Sequence, residues 1–294
     1  MTPNTTAQNR REEIIEKIPT FPSIPTAAIR VRRLLAKPEV DFDELADLIR
    51  YDQALTANLL RIANTIAFGG RQKVTTVEQT LVRLGTRHVS QMVTGIAAAP
   101  LLKKEVQGYD LAPEQLWKHA MAVGIGAEEL ARHQDTRVPE LAFTAGLLHD
   151  IGKVALGTFL DADVDEIKSA AFDHGLAFQA AERRVLGIDH AELGARLLRH
   201  WGLPDELVLA ARWHHEPDEH PGDYRVVDLV HVADGLSLQA GIGAGTDGLQ
   251  YNHCSDTLDR LNVTRHLIEK VLLEVESELE ELRDLFGEPP KGGQ

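Results

Sequence analysis

The chain has 294 residues, of which 43% are hydrophobic and 26% charged, and this composition fits a folded protein with a sizeable core. The formal net charge of −14 argues against general binding to the phosphate backbone of nucleic acids. A single cysteine, Cys254, excludes an internal disulfide, and a polar N-terminus without any long apolar run predicts a cytoplasmic protein with no membrane segment.

Short amphipathic helices are predicted for the first hundred residues. The stretch "TAAIRVRRLLAK" carries apolar residues at helical spacing. The stretch "DFDELADLIRYDQALTANLLRIANT" predicts two consecutive helices, the first of which Asp41 or Asp43 could cap. Two more helices, meeting near Gly85, are predicted for "TVEQTLVRLGTRHVSQMVTGIAAAP".

A second group of helices is predicted from about Asp110 onwards. The stretch "PELAFTAGLLHDIGKVAL" is predicted to form one helix, and "IDHAELGARLLRHWGLP" begins with Asp189 and Glu192 in a variant of the capping box. The glycine-rich "AGIGAGTDG" is predicted to be a mobile loop. With no convincing alternating pattern, we predict an all-α, multi-helix bundle with subdomains at 1–107 and 108–294.

The last predicted helix, residues 263–286, has an apolar stripe with many glutamates elsewhere. The stripe consists of Leu267, Val271, Val275, Leu279 and Leu282. Such a stripe usually packs on the body of the same protein, and a homodimer contact is the alternative.

Histidines and aspartates recur at inward-facing positions of the second group of helices. They are His119, His149, Asp150, His190, His214, His215 and Asp234. Imidazole nitrogen and carboxylate oxygen suit divalent transition ions, with iron or manganese favoured and zinc or nickel as alternatives. Two adjacent ions could polarise a phosphoryl group, and Lys153, one turn beyond His149 and Asp150, could stabilise its negative charge.

A structural interpretation stands beside each of these assignments. A single buried histidine such as His119 is more often a hydrogen-bonded core residue than a ligand, because metal sites are defined by ligand count and geometry. Asp234 alone could be a buried cap, and a lone Lys153 is more often solvated. His231, three residues before Asp234, could reach the same site, but we expect it to support the ligands.

The quoted stretches resemble the HD superfamily of metal-dependent phosphohydrolases, and most of residues 14–240 resembles its HDOD branch. "IPTFPSIP", "LADLIRYDQALTANLLRIANTIAFGG" and "AFTAGLLHDIGKVAL" carry this resemblance in the expected order. HDOD proteins are bacterial and mostly regulatory, so the resemblance implies signalling proteins as partners. A sister branch, the HD-GYP phosphodiesterases, hydrolyses cyclic di-GMP, which implies a phosphorylated small molecule or nucleotide as the alternative ligand.

The resemblance also implies roles for the residues. His119, His149, Asp150 and Asp234 would hold one ion. Asp150 would bridge to a second ion, whose other ligands would be His190, His214 and His215. Lys153 would contact phosphate, so that Lys153 and Asp150 would be the catalytic residues of an active enzyme.

Two departures from the enzyme pattern narrow the function. Gln115 stands where a carboxylate would help to hold a third ion, so we expect two ions. "PDEHPGDY" follows "HHE" in place of a Gly-Tyr-Pro segment, which disfavours cyclic di-GMP and leaves other phosphoesters open. The hypotheses are therefore a metal-binding signalling protein, a metal-dependent phosphohydrolase, or a metal-free interaction module.

Overall fold

The computed structural model describes residues 5–22, 25–35, 37, 39–64, 73–134, 139–160, 163–220, 222, 225–243, 245–250 and 254–286. Within these ranges the chain is helical and contains no β-strand, as predicted for an all-α fold. The helices are α1 (Thr5–Glu16), α2 (Thr26–Leu35), α3 (Phe42–Arg50), α4 (Gln53–Ala63), α5 (Val77–Leu102), α6 (Gln115–His133), α7 (Pro139–Leu148), α8 (Ile151–Leu160), α9 (Val164–Phe172), α10 (Phe178–Leu186), α11 (His190–His200), α12 (Asp205–Trp213), α13 (Arg225–Gln239), α14 (Ser255–Arg260) and α15 (Arg265–Phe286).

The chain forms two compact units, each made of segments that are distant in sequence. One unit comprises residues 1–23 and 99–274, and the other comprises 24–98 and 275–294. The sequence prediction divides the chain once, between residues 107 and 108, and that division remains a prediction. Every residue predicted to bind metal belongs to the first unit.

Local signals identified several helix boundaries correctly. The side chain of Asp41 caps α3 by accepting from the backbone N–H groups of Asp43 and Glu44, both at 3.0 Å. Asp189 caps α11 by accepting from Glu192 N. Gly85 interrupts α5 with a φ of 72°, a conformation that glycine adopts without steric cost.

The predicted helix over "PELAFTAGLLHDIGKVAL" is wrong in one respect. The structure divides it into α7 and α8, and His149 and Asp150 form the turn between them.

Residues 161–187, for which the sequence predicted no element, contain α9 and α10. The predicted glycine-rich loop overlaps at its end with a 3₁₀ helix at Thr246–Gln250. Within α15, Val271 and Val275 are buried, whereas the side chain of Leu282 lies outside the described residues.

Two glycines hold the His149–Asp150 turn against neighbouring helices. A Cβ atom at Gly146 would lie 2.7 Å from Val123 O and 2.8 Å from Gly124 Cα, so α6 and α7 touch backbone to backbone. A Cβ atom at Gly152 would overlap the carbonyl oxygen of His190, so α8 is in the same close contact with α11. The turn is therefore fixed between the helices that carry His119 and His190.

We predict that Gly152→Ala destabilises the protein by about 1–3 kcal/mol, because the added methyl group must push α8 away from α11. Urea unfolding would measure the free-energy change. Thr158→Ala is the matched control, since Thr158 lies on the same helix with an exposed side chain and should shift stability by less than about 0.5 kcal/mol. Equal stability of Gly152→Ala and the wild type would contradict the close contact.

Candidate metal centre

His149 and Asp150 lie at the centre of a buried cluster in the first unit. Their side chains are 0% and 1% exposed. The Nδ1 atom of His149 is 2.6 Å from the carbonyl oxygen of Gly146, at the end of α7. Because a carbonyl oxygen can only accept a hydrogen bond, Nδ1 carries a proton, so that a neutral His149 ring presents the lone pair of Nε2 to the cluster.

His119 and His214 repeat this arrangement from α6 and from the C-terminal end of α12. The Nδ1 atom of His119 donates to Ile242 O at 3.1 Å, and that of His214 donates to Ala211 O at 2.9 Å. The Nε2 atoms of His119, His149 and His214 are buried and have no hydrogen-bond partner. Backbone acceptors therefore leave three inward-facing nitrogen lone pairs, the form in which imidazole binds metal.

The carboxylate of Asp150 separates the imidazoles into two sets. Its Oδ2 atom lies 3.3 Å from His149 Nε2 and 3.7 Å from His119 Nε2. Its Oδ1 atom lies 3.5 Å from His190 Nε2 and 3.6 Å from His214 Nε2, and is buried without a hydrogen-bond partner. The two oxygens of this carboxylate thus face different histidine pairs.

Asp234 and His215 complete the two sides of the cluster. Asp234, on α13, places Oδ1 3.0 Å from His119 Nε2 and 3.9 Å from His149 Nε2. His215, which is partly exposed, places Nε2 2.8 Å from His190 Nε2. Two lone pairs would not approach so closely unless a proton or a metal ion lay between them.

The donor atoms are close enough to share an ion. Those of Asp150, His190, His214 and His215 all lie within 4.8 Å of one another, as do those of His119, His149 and Asp150. Two ligands at about 2.1 Å from one ion are at most about 4.2 Å apart, so the separations approach those of coordination. The residues present therefore fit divalent metal.

The electrostatic field of the cluster keeps its carboxylates ionised. Burial opposes ionisation of Asp234, but His119 and His149 outweigh it and lower its pKa. Burial also opposes ionisation of Asp150, and His149 together with Lys153 lowers its pKa well below the usual range. Burial lowers the pKa of His214 to about 4, which keeps that imidazole neutral and able to bind metal.

Lys153 is buried beside the cluster rather than solvated. Its ammonium group is ion-paired with Asp150 Oδ2 and lies 2.5 Å from Asp247 Oδ2. Burial alone would lower the pKa of Lys153, but Asp150 and Asp247 outweigh it and raise that pKa above the ordinary lysine value. Lys153 is therefore charged and in contact with the carboxylate between the two histidine pairs.

Sequence reasoning missed three buried residues around the cluster. Glu182 and Tyr109 are hydrogen-bonded to each other, and Glu182 also contacts His190. Asp247 belongs to the glycine-rich segment that was predicted to be a loop. No motif in the sequence marks these residues, because each partner is distant along the chain.

His231 contacts the cluster from outside. Its Nδ1 atom donates to the carbonyl oxygen of His214 at 2.6 Å, and its Nε2 atom accepts from Cys254 N at 3.1 Å. Both ring nitrogens are therefore engaged with the backbone. Cys254 is not among the donors of the cluster, and its thiol donates to Asp218 at 2.6 Å.

Solved structures with the same fold cover almost the whole chain. An HDOD domain protein of unknown function from Geobacter sulfurreducens has a TM-score of 0.74 at 23% identity, over 95% of this chain and 99% of that one. A candidate phosphohydrolase from Shewanella amazonensis SB2B has a TM-score of 0.68 at 23% identity, over 92% of this chain and 97% of that one. At this level of identity the likeness concerns the fold.

Three sequence relatives are named ribonuclease Y. Ribonuclease Y of Aquifex aeolicus is 36% identical over 118 residues, which are 40% of this chain and 15% of that protein. The chain spans less than half the length of the curated relatives it matches.

Within the described ranges, no helix combines the length and the apolar character needed to cross a membrane.

A family model assigns the larger part of the chain. The model of the HDOD domain matches residues 21–217, from the end of the first described segment to the residues just after His214 and His215. The helical fold agrees with this match. The chain belongs to the HDOD domain family.

Proposed function

We propose that this HDOD protein binds two divalent transition-metal ions and acts in bacterial signalling through contacts with other signalling proteins. The observation that carries the proposal is the position of Asp150, whose two oxygens face different histidine pairs. A carboxylate with one set of imidazoles at each oxygen is suited to bridge two ions.

The seven donors divide into two ligand sets around Asp150. His119, His149 and Asp234 would hold one ion with Asp150 Oδ2. His190, His214 and His215 would hold the other with Asp150 Oδ1. Imidazole and carboxylate ligands without a thiolate favour iron or manganese, with zinc or nickel as alternatives.

The charge of the buried region supports the presence of cations. Asp150, Asp234, Asp247 and Glu182 are buried carboxylates, and Lys153 is the buried ammonium group that faces them. If every imidazole of the cluster is neutral, as metal binding requires, these groups carry a net charge of −3, and burying unbalanced charge is costly. Two divalent ions would remove that excess.

The closed state of the centre favours a regulatory role over rapid turnover. The side chains of Asp150 and Lys153 are at most 5% exposed. Asp247 is ion-paired with the ammonium group of Lys153, which a phosphate would need to contact. Metal bound here would stabilise the fold, by about 2.7 kcal/mol at a free metal concentration one hundred times Kd.

Metal content tests the proposal directly. We predict two transition ions per chain for protein expressed without an affinity tag, supplied with Mn(II) or Fe(II) and measured by elemental analysis. Asp150→Asn should bind at most one ion and lose most of the rise in melting temperature on adding Mn(II), because it removes the shared carboxylate charge.

Asp189→Asn is the matched control for this experiment. Asp189 is equally buried and adjacent to His190, but its carboxylate caps α11 and pairs with Arg183 rather than joining the cluster. An asparagine keeps that cap, so both ions should remain. Fewer than one ion per wild-type chain would leave a metal-free interaction module as the function.

A second candidate function, phosphoester hydrolysis, is favoured by the contact between Lys153 and Asp150. When bound, two divalent ions would polarise a phosphoryl group and lower the pKa of water. The buried ammonium of Lys153 could then contact the phosphate as it gains charge, once Asp247 has moved away. The substrate would be a nucleotide, a cyclic nucleotide or another phosphorylated small molecule, and the partial identity to ribonuclease Y favours a phosphodiester among these.

Hydrolysis is tested with bis(p-nitrophenyl) phosphate and the Mn(II)-loaded chain. We predict that Lys153→Gln lowers kcat on the order of 100-fold, because it removes a charge aimed at the transferred phosphoryl group. Metal content is measured on the same samples. Lys168→Gln, which changes a partly exposed lysine on α9 that pairs with Asp110, should leave kcat unchanged.

The measured kcat and metal content decide whether Lys153 acts in turnover and whether the protein hydrolyses phosphodiesters. If Lys153→Gln keeps full metal content and wild-type kcat, Lys153 has no role in turnover. If the fully loaded wild-type protein does not hydrolyse the diester above the rate of free Mn(II), the regulatory role stands alone.

A further inference from the structure

Glu182, at the centre of α10, is fully buried and uses both of its carboxylate oxygens. Its Oε1 atom accepts from the hydroxyl of Tyr109 at 2.6 Å. Its Oε2 atom accepts from His190 Nδ1 at 2.8 Å and from His190 N at 2.9 Å. The carboxylate therefore holds both the ring and the backbone of the first residue of α11.

Tyr109 fixes this carboxylate in turn. Burial, reinforced by Glu182, raises the pKa of Tyr109 well above its ordinary value, so the phenol stays protonated and remains a donor. Its ring meets the imidazole of His190 edge-on, with centroids 6.0 Å apart at 90°. Tyr109 and Glu182 thus restrain the imidazole of His190 from two directions.

His190 differs from the other inward-facing histidines in the acceptor at Nδ1. His119, His149 and His214 donate to neutral backbone carbonyls. His190 alone among these four donates to a carboxylate. A carboxylate at Nδ1 makes the opposite nitrogen a stronger ligand and fixes its direction, and the loss of such a partner typically weakens metal binding 10–100-fold.

The Nε2 atom of His190 is directed at one side of the cluster. It lies 3.5 Å from Asp150 Oδ1 and 2.8 Å from His215 Nε2. In the described residues, neither Glu182 nor Tyr109 is hydrogen-bonded to His119, His149 or Asp234. Glu182 therefore acts on only one of the two ligand sets, the one that contains His190.

We infer that Glu182 is a positioning residue that strengthens only the ion position formed by His190, His214 and His215, so that the two positions of the centre differ in affinity. The inference rests on the proposed two-ion centre. Glu182 would not touch the ion; it acts through the Nδ1 proton of His190. Tyr109 supports it by holding the second carboxylate oxygen.

Titration of the metal-free 294-residue chain with Mn(II) by calorimetry tests the inference. We expect Glu182→Gln to weaken one of two binding constants 10–100-fold and to leave the other within about threefold. Tyr109→Phe should weaken the same constant by a smaller factor. Glu128→Gln is the matched control, since Glu128 is a buried glutamate on α6 that pairs with Arg132, and should change neither constant.

Nitrogen NMR of the His190 ring separates positioning from a general loss of structure. In the neutral ring of the wild-type, metal-free protein, the proton should lie on Nδ1, where Glu182 accepts it. Glu182→Gln retains an amide oxygen as acceptor and should keep that tautomer while losing affinity. Glu182→Ala should lose the tautomer preference, whereas the ring of His149 should be unchanged in both variants.

The outcomes distinguish this inference from the proposed function. A wild-type chain without metal would refute the two-ion centre itself. If the wild type binds two ions and Glu182→Gln retains both constants, the positioning role is refuted while the centre stands. If both constants fall equally in Glu182→Gln, its effect is not one-sided and the inference is likewise refuted.

Discussion

The close backbone contacts at Gly146 and Gly152 are the constraint on which the centre depends. They lie on either side of His149 and Asp150, and each admits a neighbouring helix to a distance that a side chain would prevent. Gly146 packs against α6, which carries His119, and Gly152 packs against α11, which begins at His190. Two glycines and the turn between them therefore set how far apart the two halves of the cluster are.

The direction of each imidazole is set by what lies behind it. Backbone carbonyls accept the Nδ1 protons of His119, His149 and His214. The acceptors of His149 and His214 belong to α7 and α12, whereas the acceptor of His119 is Ile242 in the glycine-rich segment after α13. The ligand nitrogens are thus oriented before any ion arrives, which reduces the entropy lost on binding. His190 has a charged acceptor instead, which introduces an asymmetry into an otherwise repeated design.

The glycine-rich segment after α13 links the centre to its surroundings. Ile242 supplies the carbonyl that orients His119, and Asp247 pairs with Lys153. Thr246 also donates to Asp110 at 2.5 Å, beside Tyr109. The same short segment therefore organises a histidine of the cluster and covers its lysine, so a change in its position would alter both the metal site and access to it.

Periodicity and capping determined much of this protein from the sequence by itself. Apolar spacing predicted the helices, and the caps at Asp41 and Asp189 and the break at Gly85 follow from local hydrogen bonding and backbone sterics. The histidines and aspartates of the cluster were also found in the sequence, because polar residues on apolar helix faces are unusual. Their assignment as ligands nevertheless relied on resemblance as well as on pattern.

Tertiary structure alone decided how those residues meet. Periodicity continues through "GLLHDIGK", so it could not show that α7 ends before His149; the packing of Gly146 and Gly152 against two other helices bends the chain there. Glu182 reaches Tyr109 across 73 positions of the chain, and Asp247 reaches Lys153 from a segment that looked like a simple loop. Such pairs have no local signature, because their energy comes from burial that exists only once distant helices have packed.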